Sequence, residues 1–134
     1  MTEPGTVGEL REVGVVRSPL RSPGEAPRQA GGAPAATLVI AETYRDSLLG
    51  IASGQELIVL TWLDRADRTV QQVHPMDDLS LPLTGVFATR SSQRPNPIGV
   101  HPVRVTAVEG LEIGVDALEA IDGTPIVDIK CRLG

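Results

Sequence analysis

The run from Val100 to Val115 constrains the fold more than any other part of this chain. Val103, Val105 and Ala107 alternate with Arg104 and Thr106. Leu111, Ile113 and Val115 then alternate with Glu112 and Gly114. A period of two puts each apolar set on one face of an extended strand. Glu109-Gly110 sits between the two runs as a hairpin turn. Further short runs read as strands: Val13–Arg17, Thr37–Ala41, Glu56–Leu63, Thr69–Val73, Gly85–Ala88 and Ile126–Ile129. Leu57-Ile58-Val59-Leu60 is apolar throughout and predicts a strand covered on both faces. Thr43–Leu49 predicts a short helical turn. No helix of more than about two turns and no internal repeat is visible. Strands do not alternate with helices, which argues against a parallel α/β sheet. The expected fold is all-β and mainly antiparallel: a small, closed or nearly closed β-barrel of about seven short strands. One domain is expected over residues 1–134, with residues 1–10 frayed.

Size and composition agree with this reading. At 134 residues the chain can bury a core without disulfide staples. Cys131 is the single cysteine, so no intramolecular disulfide and no cysteine metal cluster can form. Two histidines without cysteine or carboxylate spacing predict no metal site. Met1–Leu10 lacks the apolar core of a signal peptide. No apolar run approaches the roughly 20 residues of a membrane helix. The net charge is −5, whereas a nucleic-acid binder is expected to be basic. The charge is unevenly spread, however. Leu79–Val108 has no carboxylate but carries Arg90, Arg94, His101 and Arg104. Glu109–Asp128 has six carboxylates and no base. Tyr44, Trp62 and Phe87 are too few to build an extended base-stacking platform.

The densest chemistry lies in Thr89-Arg-Ser-Ser-Gln-Arg-Pro-Asn-Pro-Ile98. Arg90 and Arg94 flank Ser91, Ser92 and Gln93. Pro95 and Pro97 hold Arg94 and Asn96 in extended backbone. A stiff loop carrying planar guanidinium forks is suited to bind a ligand with little ordering cost.

Gly85-Val-Phe-Ala-Thr-Arg-Ser with Arg94-Pro-Asn-Pro-Ile-Gly resembles the signature of the TrmO (TsaA, YaeB) family. Val13-Gly-Val-Val-Arg-Ser-Pro with Ala26-Pro-Arg-Gln-Ala30 resembles that family's N-terminal strand and Pro-Arg-Gln loop. Asp122-Gly-Thr-Pro-Ile-Val-Asp-Ile-Lys130 resembles its C-terminal signature. The three segments follow the family order and span nearly the whole chain. The resemblance implies a YaeB-like β-barrel working as a homodimer in the cytoplasm. It implies S-adenosylmethionine as cofactor, bound on barrel loops without a Gly-x-Gly-x-x-Gly fingerprint. It implies methyl transfer to N6 of threonylcarbamoyladenosine beside the anticodon of certain tRNAs.

Carried onto this sequence, the resemblance gives Arg90, Arg94, Asn96 and Asp64 as catalytic candidates. The cofactor candidates are Pro27, Arg28, Gln29, Asp64, Arg65, Arg90, His101, Asp122, Gly123, Thr124 and Pro125. Family members often carry histidine near position 64, where this chain has aspartate. Arg65 and Arg68 read either as phosphate ligands or as partners of Asp64 and Asp67. Asp128 and Lys130 share a strand face and read as a structural ion pair. His101 reads as a site residue or as a structural histidine. Two alternatives stay open: a small-molecule methyl acceptor, or a non-catalytic module that binds S-adenosylmethionine.

Overall fold

A computed structural model of the chain describes residues 4–21 and 32–133. Its strands are β1 (Gly14–Arg17), β2 (Ala36–Ile40), β3 (Glu56–Trp62), β4 (Gln72–Val73), β5 (Thr84–Gly85), β6 (Ile98–Glu109), β7 (Glu112–Val115) and β8 (Pro125–Cys131). Six of them close into a barrel in the order β1-β2-β7-β6-β3-β8, every neighbour antiparallel. β4 and β5 form a separate two-stranded ribbon.

The alternation seen in the sequence sets the barrel interior. Val16, Leu38, Ile40, Leu57, Val59, Val103, Val105, Ile113, Val115 and Ile126 point inward and are buried. Each such side chain contributes roughly 1.5–3 kcal/mol over leaving it in water. The β6–β7 hairpin turns where expected, with Gly110 at φ +59°, a conformation that favours glycine. A 3-10 segment, Glu42–Leu48, stands at the expected helical turn, and Tyr44 and Leu48 pack from it against the core.

Three local expectations need correction. Gly85–Ala88 is not a strand: β5 ends at Gly85 and a 3-10 turn, Val86–Ala88, follows. Val86 alone is buried while Phe87 is 87% exposed, so the run has no period of two. Thr69–Val73 shortens to β4. The Asp67 carboxylate accepts both the N–H and the hydroxyl of Thr69 and draws it into a turn. β3 is covered on one face only. Leu57, Val59 and Thr61 are buried inside, while Ile58, Leu60 and Trp62 lie only half-buried on the outside, where no second sheet or helix of the described residues packs over them.

This topology gathers the loops. Strand directions alternate around the barrel, so β1, β3 and β7 end where β2, β6 and β8 begin. The connections that follow β1, β3 and β7 therefore all begin and end at one rim; of the first, residues 18–21 and 32–35 are described. The opposite rim carries 41–55 and the β6–β7 turn. The three segments that are far apart in sequence thus converge on one end of the barrel.

Candidate functional site

Arg94 turns inward. Its Nη2 donates to Val86 O at 2.7 Å, and its Nη1 lies 3.0 Å from Ser91 O and 3.3 Å from Thr89 O. The fork thus closes the 3-10 turn and the bend that follows it. Hydroxyls complete this fold: Thr89 Oγ1 donates to Val86 O, Ser91 N–H to Thr89 Oγ1, and Gln93 N–H to Ser91 Oγ. Arg90 differs from Arg94. It is exposed and makes no hydrogen bond or ion pair among the described residues.

The turn after β3 docks onto the same loop. Arg68 Nε donates to Pro95 O at 2.7 Å and Arg68 Nη2 to Asn96 Oδ1 at 3.0 Å. The Asp67 N–H donates to Gln93 Oε1. Arg68 also lies over the Trp62 ring, 5.1 Å from its centroid, where the quadrupole attracts a cation. Asn96 is thereby engaged as an acceptor inside the loop. Asp64 and Arg65 protrude from this turn, exposed and without a partner among the described residues. Of the two readings left open for Arg68, phosphate ligand or partner of an aspartate, no aspartate pairs with it among the described residues, and its fork is engaged by these backbone and amide oxygens.

On the other side of the rim, Asp122 latches the start of connection 18–35. Its Oδ1 accepts the Ser18 N–H at 2.9 Å and its Oδ2 pairs with Arg21 at 2.8 Å. Its own N–H donates to Leu20 O, and Gly123 N–H donates to Val16 O. Gly123 has φ +86°, so the reversal suits glycine. Thr124 is buried with its hydroxyl on Ile121 O, and Pro125 opens β8. Pro27, Arg28 and Gln29 lie outside the described residues. The latch of Asp122 onto Ser18 and Arg21 has no signal in spacing, because its partners are remote in sequence.

His101 faces the barrel interior near this rim. Its Nε2 lies 2.8 Å from the hydroxyl of Thr61, which is fully buried. Burial pushes the ring down to about 4, so it is neutral at pH 7. Asp128 and Lys130 form the expected ion pair at 3.2 Å, on the outer face. A shallow depression of about 420 Å³ opens on the loop-bearing rim, against Arg17, Ser18, Thr37 and Thr106. The sequence reading did not find it. Its signal is the register shift between Val105, opposite Val115, and Ala107, opposite Gly114, which leaves Thr106 as an extra residue and which period-two counting passes over.

Fold and site together define a small antiparallel barrel whose chemistry is carried by loops at one rim. Among the described residues, the exposed charged groups there that make no hydrogen bond or ion pair include a carboxylate, Asp64, and two guanidiniums, Arg65 and Arg90. Sequence comparison places it further. The family profile described as tRNA-methyltransferase O N-terminal domain matches residues 15–133, and the chain belongs to this family. A relative from Archaeoglobus fulgidus, described as a probable S-adenosyl-L-methionine-binding protein, is 44% identical over 123 residues, 91% of this chain and 33% of that protein. A second from the same organism, described as an S-adenosyl-L-methionine-binding protein, is 40% identical over 90% of this chain and 86% of its own length. The crystal structure of TrmO from Pseudomonas aeruginosa superposes with a TM-score of 0.77 at 28% identity, covering 96% of this chain and 57% of that one. The chain thus spans a third of the first relative and just over half of the solved protein.

Proposed function

We propose that the chain is an S-adenosylmethionine-dependent methyltransferase of tRNA, methylating N6 of threonylcarbamoyladenosine next to the anticodon. The observation that carries this reading is that the described parts of the three family segments, Ser18 after β1, the Thr89–Ile98 loop and the Asp122–Thr124 turn, meet at one rim that also carries exposed Arg65, Arg90 and Asp64. The donor set suits the cofactor. A guanidinium matches a carboxylate in planar, bidentate fashion, and a sulfonium tolerates an exposed carboxylate such as Asp64. When bound, the cofactor supplies an electrophilic methyl whose departing thioether is neutral and needs no acid.

The chain's own residues then have separable tasks. Arg94, Arg68, Gln93 and Asn96 hold the loop in shape. Asp122 holds the start of connection 18–35, and Gly123 makes the reversal beside it, with its N–H on Val16 O. Arg65 and Arg90 are free to meet anionic groups. Asp64 can accept the proton of the carbamoylated nitrogen, while His101 with its depressed basicity is a poor acceptor. Working geometry requires nucleophile and methyl about 3–3.5 Å apart.

A homodimer is part of this proposal. On the outer face of β3 and β6, Ile58, Leu60, Trp62, Ile98 and Val100 form an apolar sheet surface, with Ile98 and Val100 40% and 42% exposed. Glu56, Arg104, Asp128 and Lys130 border it with both signs of charge, which suits a two-fold contact. No described helix is long and apolar enough to cross a membrane, and the proposed site of action is the cytoplasm.

The relatives' descriptions stop at cofactor binding, which favours a non-catalytic binding module as second reading. Calorimetry with S-adenosylmethionine, then methyl transfer to bulk tRNA lacking the modification, decides. Binding with transfer supports the proposal. Binding without transfer to tRNA, or to any small acceptor, supports the module. No binding overturns both.

A further inference from the structure

We propose that Arg94 is a positioning residue, which fixes the backbone on both sides of Arg90 so that the fork assigned to an anionic group of the ligand in the reading above is held in place. The ligand's identity rests on the reading above; the clamp itself does not. Arg94 Nη1 reaches Thr89 O and Ser91 O, the carbonyls of the two residues that flank Arg90. Its Nη2 fixes Val86 O, one turn earlier. One guanidinium therefore pins the backbone on both sides of Arg90. Thr89 Oγ1 adds a further tie, accepting the Ser91 N–H across Arg90 at 3.1 Å.

The side chain between these ties is uncommitted. Arg90 is exposed and has no partner among the described residues. In the docked turn, Arg68 is committed to Pro95, Asn96 and Trp62, while Arg65 is exposed without a partner among the described residues and has no clamp of this kind on its backbone. The arrangement places a free fork on a fixed base, a geometry that lowers the ordering cost of gripping a planar oxyanion. A solvated surface arginine needs no such clamp. The prolines after Arg94 serve the same end, because they fix the backbone from which its side chain turns back.

A double-mutant cycle on the full chain tests this. Arg90→Ala, Arg94→Lys and the double variant are compared with the unaltered chain. Readouts are melting temperature, S-adenosylmethionine affinity, kcat and KM for tRNA, and the heteronuclear NOE of the residue-90 amide. Arg90→Ala is expected to leave melting unchanged and to weaken ligand binding or raise KM about 10–100-fold. Arg94→Lys is expected to loosen the residue-90 amide and lose a similar factor. The double variant is expected to be no worse than Arg90→Ala alone. Arg94→Ala repeats the cycle with the fork removed altogether.

Losses that multiply, an unaffected Arg90→Ala variant, or a residue-90 amide equally rigid in both Arg94 variants would each overturn the proposal. Decarboxylated S-adenosylmethionine separates the two oxyanion sources. A penalty confined to the intact cofactor assigns its carboxylate, whereas an equal penalty with raised KM assigns the acceptor. If the unaltered chain binds no cofactor, the functional reading falls alone. Amide dynamics, and a phosphate titration followed at the Arg90 Nε–H, still decide the clamp.

Discussion

Thr61 Oγ1 lies 2.8 Å from His101 Nε2 inside a barrel otherwise lined by aliphatic side chains. The ring is half-buried, and burial lowers its basicity to about 4. In the unfolded chain its ordinary value of 6.5 returns. Between these values the unfolded state binds more protons than the folded one, so stability falls as pH drops from 6.5 to about 4. The loss is on the order of 3 kcal/mol. Urea unfolding at pH 7 and at pH 4.5 should show it, and His101→Gln should remove most of the difference. An unchanged slope in that variant would assign the acid sensitivity to carboxylates.

Gly99 should not tolerate a side chain. A Cβ there would stand 2.6 Å from His101 Nε2 and would also run into the Thr61 hydroxyl. Gly99→Ala is expected to cost about 1–3 kcal/mol by overpacking. Thr61→Ala in the same chain should relieve part of that cost, giving a sum less than additive in chemical denaturation. Full additivity would mean that the backbone, not the Thr61–His101 pair, fills the space.

Asp122 offers two contacts of unequal worth. The bond to the N–H of buried Ser18 should dominate, because losing it leaves a buried donor unpaired at roughly 1–3 kcal/mol. The ion pair with Arg21 is solvent-screened and worth at most about 1 kcal/mol. Asp122→Asn, which keeps an oxygen for Ser18, should therefore melt close to the unaltered chain, and Asp122→Ala well below it. Equal melting of the two variants would make the Arg21 pair the larger contribution.

The outer face of β3 can be tested separately. Leu60→Glu places a charge among half-buried apolar side chains outside the barrel, away from the interior packing of Val59 and Thr61. Sedimentation at micromolar concentration is expected to show a dimer for the unaltered chain and a monomer for the variant. A monomer in both cases would remove that face as a contact between copies.

Much of this was legible in the sequence, and for identifiable reasons. The β6–β7 hairpin is local, and its alternation and turn residue stand side by side. The barrel class followed from short strands with Gly and Pro between them. The fate of Arg94 was not legible, since a fork facing solvent and one folded onto Val86 O have the same sequence. Nor was the exposed outer face of β3. An apolar run reads as covered on both sides, whereas a six-stranded barrel has an outside. Asp64 was singled out and does stand exposed at the loop-bearing rim. The engagement of Asn96 by Arg68 depends on a contact spanning the ribbon β4–β5, beyond the reach of periodicity.

The alternating strand directions have a practical consequence for anyone handling this protein. β1 enters and β8 leaves the barrel at the rim opposite the arginine loop, where Arg132 N–H still bonds Glu56 O. A tag, fluorophore or fused domain joined after β8 begins its path on the far side of the barrel. Surface tethering through Cys131, exposed near that same end, would likewise hold the molecule with its loops facing solution.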